Sequence, residues 1–85
     1  MTGYEIVREQ FAVAAGGGTQ AFAADCPAGK RVISGGYYLF NNTGLNVIRD
    51  APDELNGTAW TLALINTSGQ ADFVNVYAVC GNVTT

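Results

Sequence analysis

Apolar side chains recur at every second position through most of this sequence, and that alternation is the strongest constraint on its fold. The last alternating run, residues 72–80, divides into two sets: Val74, Val76, Ala78 and Cys80 on one side, and Phe73, Asn75, Tyr77 and Val79 on the other. A period of two is the side-chain period of a pleated strand, and glycine- and asparagine-rich turns separate the runs. The one alanine-rich competitor for a helix, residues 11–15, runs into three glycines. The pattern therefore predicts an all-β chain.

The runs and the turns between them predict six strands: 4–14, 19–25, 31–40, 45–50, 58–66 and 72–80. Gly35 and Gly36 interrupt the third strand, where paired glycines indicate a bulge, a sharp bend or a close approach of another backbone. Residues 41–44 are predicted to close a hairpin between the third and fourth strands. Short strands at this spacing in 85 residues favour one domain, residues 1–85, folded as a small antiparallel β-sandwich of jelly-roll-like or Greek-key type. Residues 1–3 are expected to be a flexible start, with a leader already removed or replaced by these three residues.

Cys26 and Cys80 are the two cysteines of the chain, and each shares a strand face with apolar residues predicted to fill the core. A domain of this size buries little more apolar surface than is needed to offset chain entropy, so a disulfide is a common supplement. A bridge between them would close a loop of about 55 residues and stabilise the fold by about 4 kcal/mol. Two buried free thiols are the alternative. A structural disulfide would indicate a secreted or cell-surface protein.

The scarcity of charge excludes several classes of function. Charged residues make up 13% of the chain, the formal net charge is −3, and four side chains are basic. This is too little positive charge to grip nucleic acid, and no run of eighteen apolar residues is available for membrane insertion. Histidine, the commonest general base and metal ligand, is absent. We therefore expect a chain that is not an enzyme and that has no cofactor, catalytic residue or assigned metal site.

One loop of the chain is rich in acidic residues, although charged residues are scarce elsewhere. Asp50, Asp53 and Glu54 lie close together in sequence, a few residues before Trp60. We favour a solvated loop that keeps the domain soluble, because so small a sandwich has little concave room to desolvate a general acid. Paired carboxylates could also act on a glycosidic bond, and their oxygens could hold calcium, although the spacing lacks the alternate-residue pattern of a calcium loop. With Trp60 these residues form the candidate ligand or calcium loop.

The aromatic residues carry the main hypothesis about function. Tyr37 and Tyr38 are consecutive, so one of them faces outward in a strand, and Phe73 and Tyr77 lie on the face opposite to the predicted core set of the last strand. These aromatic residues have three interpretations: they fill the core, they form a subunit interface, or they make a platform on which sugar rings stack. We favour an interface formed by these four residues, through which the chain assembles as a homo-oligomer. The alternative is a carbohydrate-binding module that uses exposed aromatics, Trp60 and the acidic loop.

Four segments carry a resemblance to a known family: Tyr4-Glu5-Ile6-Val7, the run from Cys26-Pro27-Ala28-Gly29-Lys30 through Gly35-Gly36-Tyr37, Trp60-Thr61-Leu62, and Val76-Tyr77-Ala78-Val79-Cys80. The chain resembles a small β domain of bacterial and phage surface proteins, which often stands C-terminal to collagen-like repeats or at the tip of a tail-fibre-type protein. The resemblance implies a noncatalytic extracellular module with paired cysteines, and trimeric packing where the domain follows a triple helix. It implies no catalytic residues.

Overall fold

The computed structural model describes residues 2–40 and 44–82, and in this part of the chain it shows strands and no helix. The six strands are β1 (Thr2–Val13), β2 (Thr19–Asp25), β3 (Arg31–Leu39), β4 (Leu45–Pro52), β5 (Ala59–Asn66) and β6 (Asp72–Asn82). Each of them corresponds to a predicted strand, so the all-β prediction is confirmed. β1 begins earlier than predicted, and Thr2, which the sequence assigned to a flexible start, pairs with Asn82 of β6.

The strands form two three-stranded antiparallel sheets that pack into a sandwich. Sheet A has the order β1-β6-β3 and sheet B the order β2-β5-β4. The pairing of β1 with β6 and of β2 with β5 is nested, as in a jelly roll. Across the core, β1 packs against β2 and β3 packs against β4. The predicted β-sandwich is therefore confirmed.

The predicted hairpin between the third and fourth strands is wrong. β3 pairs with β6 and β4 pairs with β5, so the chain crosses from sheet A to sheet B between them. Of the predicted turn, residues 41–43 lie outside the described residues. Turn residues favour a reversal of the chain but do not choose the strand on which the next strand pairs.

The core lies between the two central strands, β5 and β6. Leu62 and Leu64 project from β5, and Val74 and Val76 project from β6; all four are fully buried. Burying such a side chain stabilises the fold by about 1.5–3 kcal/mol, so these two strands supply much of the driving force for folding. The predicted core face of the last strand is confirmed, because Ala78 and Cys80 complete the buried set.

A disulfide joins the two sheets. Cys26 follows directly after β2 in sheet B, and Cys80 lies in β6 of sheet A, with a distance of 5.7 Å between their Cα atoms. The predicted bridge is confirmed, and the alternative of two free thiols is wrong. A structural disulfide indicates that the chain folds in an oxidising environment.

The paired glycines of β3 mark a close approach to a side chain of the opposite sheet. A Cβ atom on Gly35 would lie 2.2 Å from Cγ of Trp60, whereas a Cβ atom on Gly36 would meet nothing within 4 Å. Trp60 can therefore pack across the sandwich only because residue 35 has no side chain. The bulge in β3 lies nearby, between Val32 and Ser34 rather than at the glycines.

Candidate functional site

The outer face of sheet A brings together outward-facing residues from three strands. The register places Ile6 of β1 opposite Val79 of β6, and Asn75 of β6 between Gln10 of β1 and Tyr38 of β3. Successive side chains of a strand alternate between its two faces, so the outward positions of β6 are those that do not enter the core. Tyr77, which lies between Arg8 and Gly36, belongs to the same face.

This face exposes large apolar side chains to solvent. The exposed fractions are 58% for Tyr38, 56% for Ile6, 49% for Phe40 and 48% for Phe73. Phe40 follows β3 and lies edge-on to Tyr38, with 5.6 Å between the ring centroids. We call this surface the aromatic face and define it by seven residues: Ile6, Tyr38, Phe40, Phe73, Asn75, Tyr77 and Val79. The aromatic rings gather at one end of this face and Ile6 lies beside Val79 at the other. Exposed apolar side chains grouped on one face of a small protein are typical of an interaction site.

Asn75 is the polar member of the aromatic face, and it lies near the centre. Its side chain is 7% exposed, and its Oδ1 is buried without a hydrogen-bond partner among the described residues. Its Nδ2 donates a long hydrogen bond of 3.5 Å to Oη of Tyr77. A buried acceptor without a partner costs about 1–3 kcal/mol, and Oδ1 is the atom of this amide that lacks one among the described residues.

Charge is nearly absent from the aromatic face. Among the outward positions of β1 from Ile6 to Ala12 and the β6 and β3 residues paired with them, Arg8 is the one charged side chain. The acidic residues Asp50, Asp53 and Glu54 belong to β4 and the segment that follows it, in the other sheet. Glu5, Glu9 and Asp72 belong to sheet A, but each lies opposite a core-facing residue and so has the other parity.

The four residues predicted to form an interface divide between two faces of sheet A. Tyr38, Phe73 and Tyr77 lie together on the aromatic face. Tyr37 lies opposite Val76, which points into the core, so Tyr37 projects from the inner side of the edge strand β3 and is 40% exposed. The structure therefore assembles three of the predicted residues into one surface and sets Tyr37 apart from them.

The predicted ligand loop is not continuous with this surface. Trp60 points into the sandwich against Gly35, and its Nε1 donates a hydrogen bond of 2.5 Å to Oδ1 of Asp50. Asp53 holds its own turn, because its Oδ1 accepts a hydrogen bond of 3.0 Å from the backbone N–H of Leu55. Glu54 is exposed. Within residues 2–40 and 44–82, no three acidic or cysteine side chains are grouped so that they could hold a metal ion.

Two shallow depressions lie elsewhere on the molecule. One, of about 330 Å³, lies on the outer side of sheet B, where alanines form most of the floor and Arg49 donates to Oγ1 of Thr61. The other, of about 290 Å³, lies among the turns near Gly17 and Asn66, and the Asn66 amide already bonds to Ser68 and Gln70. Neither depression has an acid and a base among its lining residues.

Comparisons of the chain with protein-family models, with curated proteins and with solved structures found no match. The described part of the structure contains no helix that is long and apolar enough to cross a membrane. The evidence for function therefore comes from the aromatic face itself.

Sequence reasoning did not assign Ile6, Phe40, Asn75 or Val79 to the interface, although it placed Asn75 and Val79 on the same side of the last strand as Phe73 and Tyr77. Phe40 could have been found, because it lies two residues after Tyr38 and shares its parity. Ile6 has the outward parity of its own strand, but only the pairing of β1 with β6 shows that it lies beside Val79. Asn75 lies between two predicted interface residues, yet its burial depends on neighbours from β1 and β3 that no local pattern identifies.

Proposed function

We propose that this chain is a noncatalytic assembly domain of a secreted or cell-surface protein, and that it self-associates through the aromatic face. The observation that carries the proposal is the cluster of exposed Ile6, Tyr38, Phe40 and Phe73 on one side of sheet A. Exposed apolar side chains grouped on one face favour association, because their burial is the main driving force for it.

The whole outer face of sheet A is just large enough for a specific contact. Three strands about 4.8 Å apart, with their side chains, make a surface roughly 15 Å wide. The central strand β6 has 11 residues and is roughly 36 Å long, which gives roughly 540 Å² on each copy. A pair of copies would then bury about 1,100 Å², close to the lower limit of about 1,000 Å² for a specific protein interface.

The shape of the molecule supports the same proposal. The Cα radius of gyration is 13.6 Å. A compact monomer of this length has a radius of about 12 Å. An elongated sandwich with one thin core leaves apolar side chains on its outer faces, since each strand has two faces and only one can enter the core. Association with a second copy covers the side chains that the core cannot accommodate.

A second copy of this chain is the partner that the chemistry favours. None of the seven residues of the aromatic face is charged, and Arg8 is the one charged side chain among the neighbouring outward positions described above, so bringing two such faces together creates little like-charge repulsion. A partner recognised by its charge would need a complementary field, which this surface does not provide. The disulfide is consistent with assembly outside the cell, where the fibrous surface proteins that the sequence resembles are found.

Light scattering coupled to size-exclusion chromatography tests the proposal. The wild-type chain is expected to elute as a homo-oligomer at micromolar concentration. Phe73→Arg places a charge in the aromatic face and is expected to give a folded monomer, because a buried unpaired charge costs several kcal/mol. Ile48→Arg is the matched control: Ile48 is also exposed, at 57%, but lies at a bulge in β4 of the other sheet.

A wild-type chain that stays monomeric at high micromolar concentration would overturn the assembly proposal. Equal loss of association in the Phe73→Arg and Ile48→Arg variants would show that the aromatic face is not the contact. A glycan array on which the monomer binds sugars, and on which Tyr38→Ala does not, would support the carbohydrate-binding alternative in its place.

A further inference from the structure

The aromatic face and the outer face of sheet B have complementary shapes. Resting on the self-association proposed above, we infer that the aromatic face of one copy packs against the outer face of sheet B of the next copy. The rings of Tyr38, Phe40 and Phe73 then lie over the depression on sheet B. The contact is head-to-tail, so every copy uses both of its outer faces, and the copies form an open stack.

The three rings form a raised cluster at one end of sheet A. Leu39 pairs with Val74, so Phe40 and Phe73, one residue further on, come side by side. Tyr38 lies edge-on to Phe40, with 5.6 Å between the ring centroids. The exposed fractions of the three residues range from 48% to 58%. The cluster is therefore open to a second copy without any movement of side chains.

The outer face of sheet B is hollow where the aromatic face is raised. The leucines of β5 are buried in the core, so Thr61 and Ala63 of the same strand point outward. Ala63 lies opposite Ala21 of β2, and Thr61 lies opposite Ala23. Together with Arg49 these four residues line a depression of about 330 Å³, which we call the alanine depression. Its floor of methyl groups leaves room for larger side chains from another molecule.

Shape distinguishes between the two surfaces that the aromatic face could meet. The aromatic face has no charged residue, so charge allows it to meet either its own copy or the outer face of sheet B. Facing layers interdigitate best when large side chains lie opposite small ones. Two aromatic faces would set rings and other large side chains against each other. The alanine depression instead offers small side chains to the ring cluster.

Arg49 gives the alanine depression a chemical preference for aromatic rings. Its Nε donates a hydrogen bond of 3.1 Å to Oγ1 of Thr61, which holds the side chain at the border of the depression. Within residues 2–40 and 44–82 no acidic side chain forms an ion pair with its guanidinium. A guanidinium without such a partner stacks favourably on the face of an aromatic ring. The ring cluster of a second copy supplies that ring.

The two surfaces lie on opposite sides of the sandwich, because the sheets pack through their inner faces. A head-to-tail contact between opposite sides continues from copy to copy instead of closing on itself. β5 has 8 residues and is roughly 26 Å long, so sheet B offers roughly 400 Å². An inner copy of the stack buries roughly 800 Å² of its own surface, against roughly 540 Å² in a pair of aromatic faces. The stack therefore buries more surface per copy.

The mass of the assembly as a function of concentration is the first test. Sedimentation equilibrium of the wild-type chain from low to high micromolar concentration is expected to show a weight-average mass that rises past two copies without a plateau. A plateau at the mass of two or three copies would show a closed assembly and overturn the stack.

Ala21→Arg is the second test, because it fills the alanine depression from an exposed position and leaves the aromatic face intact. We expect the dissociation constant of the contact to rise at least about tenfold. Ala28→Arg makes the same substitution in the exposed turn after β2, outside both surfaces, and is expected to leave the constant unchanged. Ile48, the control position used above, also does not line the depression.

Mixing two variants gives the sharpest test. Phe73→Arg and Ala21→Arg are each expected to stay monomeric alone, since each lacks one of the two surfaces. An equimolar mixture is expected to form a one-to-one complex, because the intact aromatic face of one variant fits the intact depression of the other. Both substitutions introduce arginine, so the two altered surfaces repel and cannot produce this complex. Sedimentation velocity with a fluorophore on one variant detects it.

The outcomes separate the stack from the self-association on which it rests. If the wild-type chain is a monomer at high micromolar concentration, self-association is overturned, and the stack with it. If the wild-type chain associates and Ala21→Arg associates equally well, or the mixture forms no complex, the stack is wrong while self-association stands. Circular dichroism and Trp60 fluorescence establish that each variant folds. Should Ala21→Arg fail to fold, Ala23→Arg in the same depression takes its place.

Discussion

The two adjacent glycines of β3 have different roles because their side-chain positions point to opposite faces of sheet A. Gly35 lies opposite Ala78 and faces the core, where the Trp60 ring occupies the space that a Cβ would need. Gly36 lies opposite Tyr77 on the outer face, where that space is open. Neither glycine has a positive φ. The requirement at Gly35 is therefore steric rather than conformational.

Gly35→Ala is expected to destabilise the fold by about 3 kcal/mol, at the upper end of the usual cost of overpacking. The new methyl would also lie 2.6 Å from the backbone oxygen of Tyr77, which cannot move without disturbing β6. Gly36→Ala is the matched control and is expected to change the stability by no more than about 1 kcal/mol, in the stabilising direction. Urea denaturation monitored by Trp60 fluorescence measures both, and equal midpoints would contradict the steric argument.

At the scale of elements, the edge strands β3 and β4 share one structural feature, a β-bulge. Each contains a bulge, between Val32 and Ser34 in β3 and between Val47 and Arg49 in β4, and each bulge contains an exposed isoleucine. A bulge disrupts the regular ladder of an edge strand and so discourages pairing with the edge of another chain. Edge-to-edge pairing at β3 and β4 is thus disfavoured, while the outer face of sheet A stays available for association.

The disulfide acts between elements, because it joins the end of β2 to β6 and so connects the two sheets. The sequence separation of its cysteines is 54 residues. Reduction is expected to lower the free energy of unfolding by about 4 kcal/mol, since the reduced unfolded chain regains the entropy of the open loop. Urea denaturation with and without reductant measures the difference. The Cys26→Ala/Cys80→Ala double variant should match the reduced chain, and a loss below about 1 kcal/mol in both would contradict the estimate.

For the whole molecule, the distribution of charge determines how association should respond to salt. The net charge is −3, but the aromatic face itself has no charged residue, and Arg8 is the one charged side chain among the neighbouring outward positions described above. An interface driven by apolar burial is screened little by added ions. Raising sodium chloride from about 0.05 M to about 0.5 M is therefore expected to change the dissociation constant by less than about threefold. A tenfold weakening in analytical ultracentrifugation would show instead that attraction between charges holds the copies together.

Much of the fold follows from local patterns in the sequence. Alternation identified all six strands and the buried face of β6, because a side-chain period of two is a property of each strand by itself. The disulfide followed from the shared inward parity of Cys26 and Cys80. The prediction of a hairpin between β3 and β4 was wrong, because a turn pattern indicates where the chain reverses but not which strand the next strand pairs with.

The candidate site was harder to predict, because it depends on register between distant strands. Tyr38, Phe73 and Tyr77 were identified as interface residues from their type and parity. Tyr37 has the same residue type as its neighbour, and only the direction of β3 in the sheet shows that it points inward. The sequence shows that Asn75 is a polar residue among apolar ones. It does not show that Oδ1 of Asn75 is buried without a partner, because that burial depends on the strands β1 and β3 on either side of β6.

The sequence by itself determined that this chain is all-β and has one core of alternating apolar residues, since both depend on the period of side chains along each strand. It favoured a disulfide between Cys26 and Cys80, and the structure decided in favour of that bond over two free thiols. Tertiary structure alone decided which strands become neighbours. That choice places Ile6, Tyr38 and Phe73 on one surface, turns Trp60 into the core against Gly35, and buries the Asn75 amide. The physical reason is that pairing between strands is selected by the total apolar area buried across the whole sandwich, which no single segment contains.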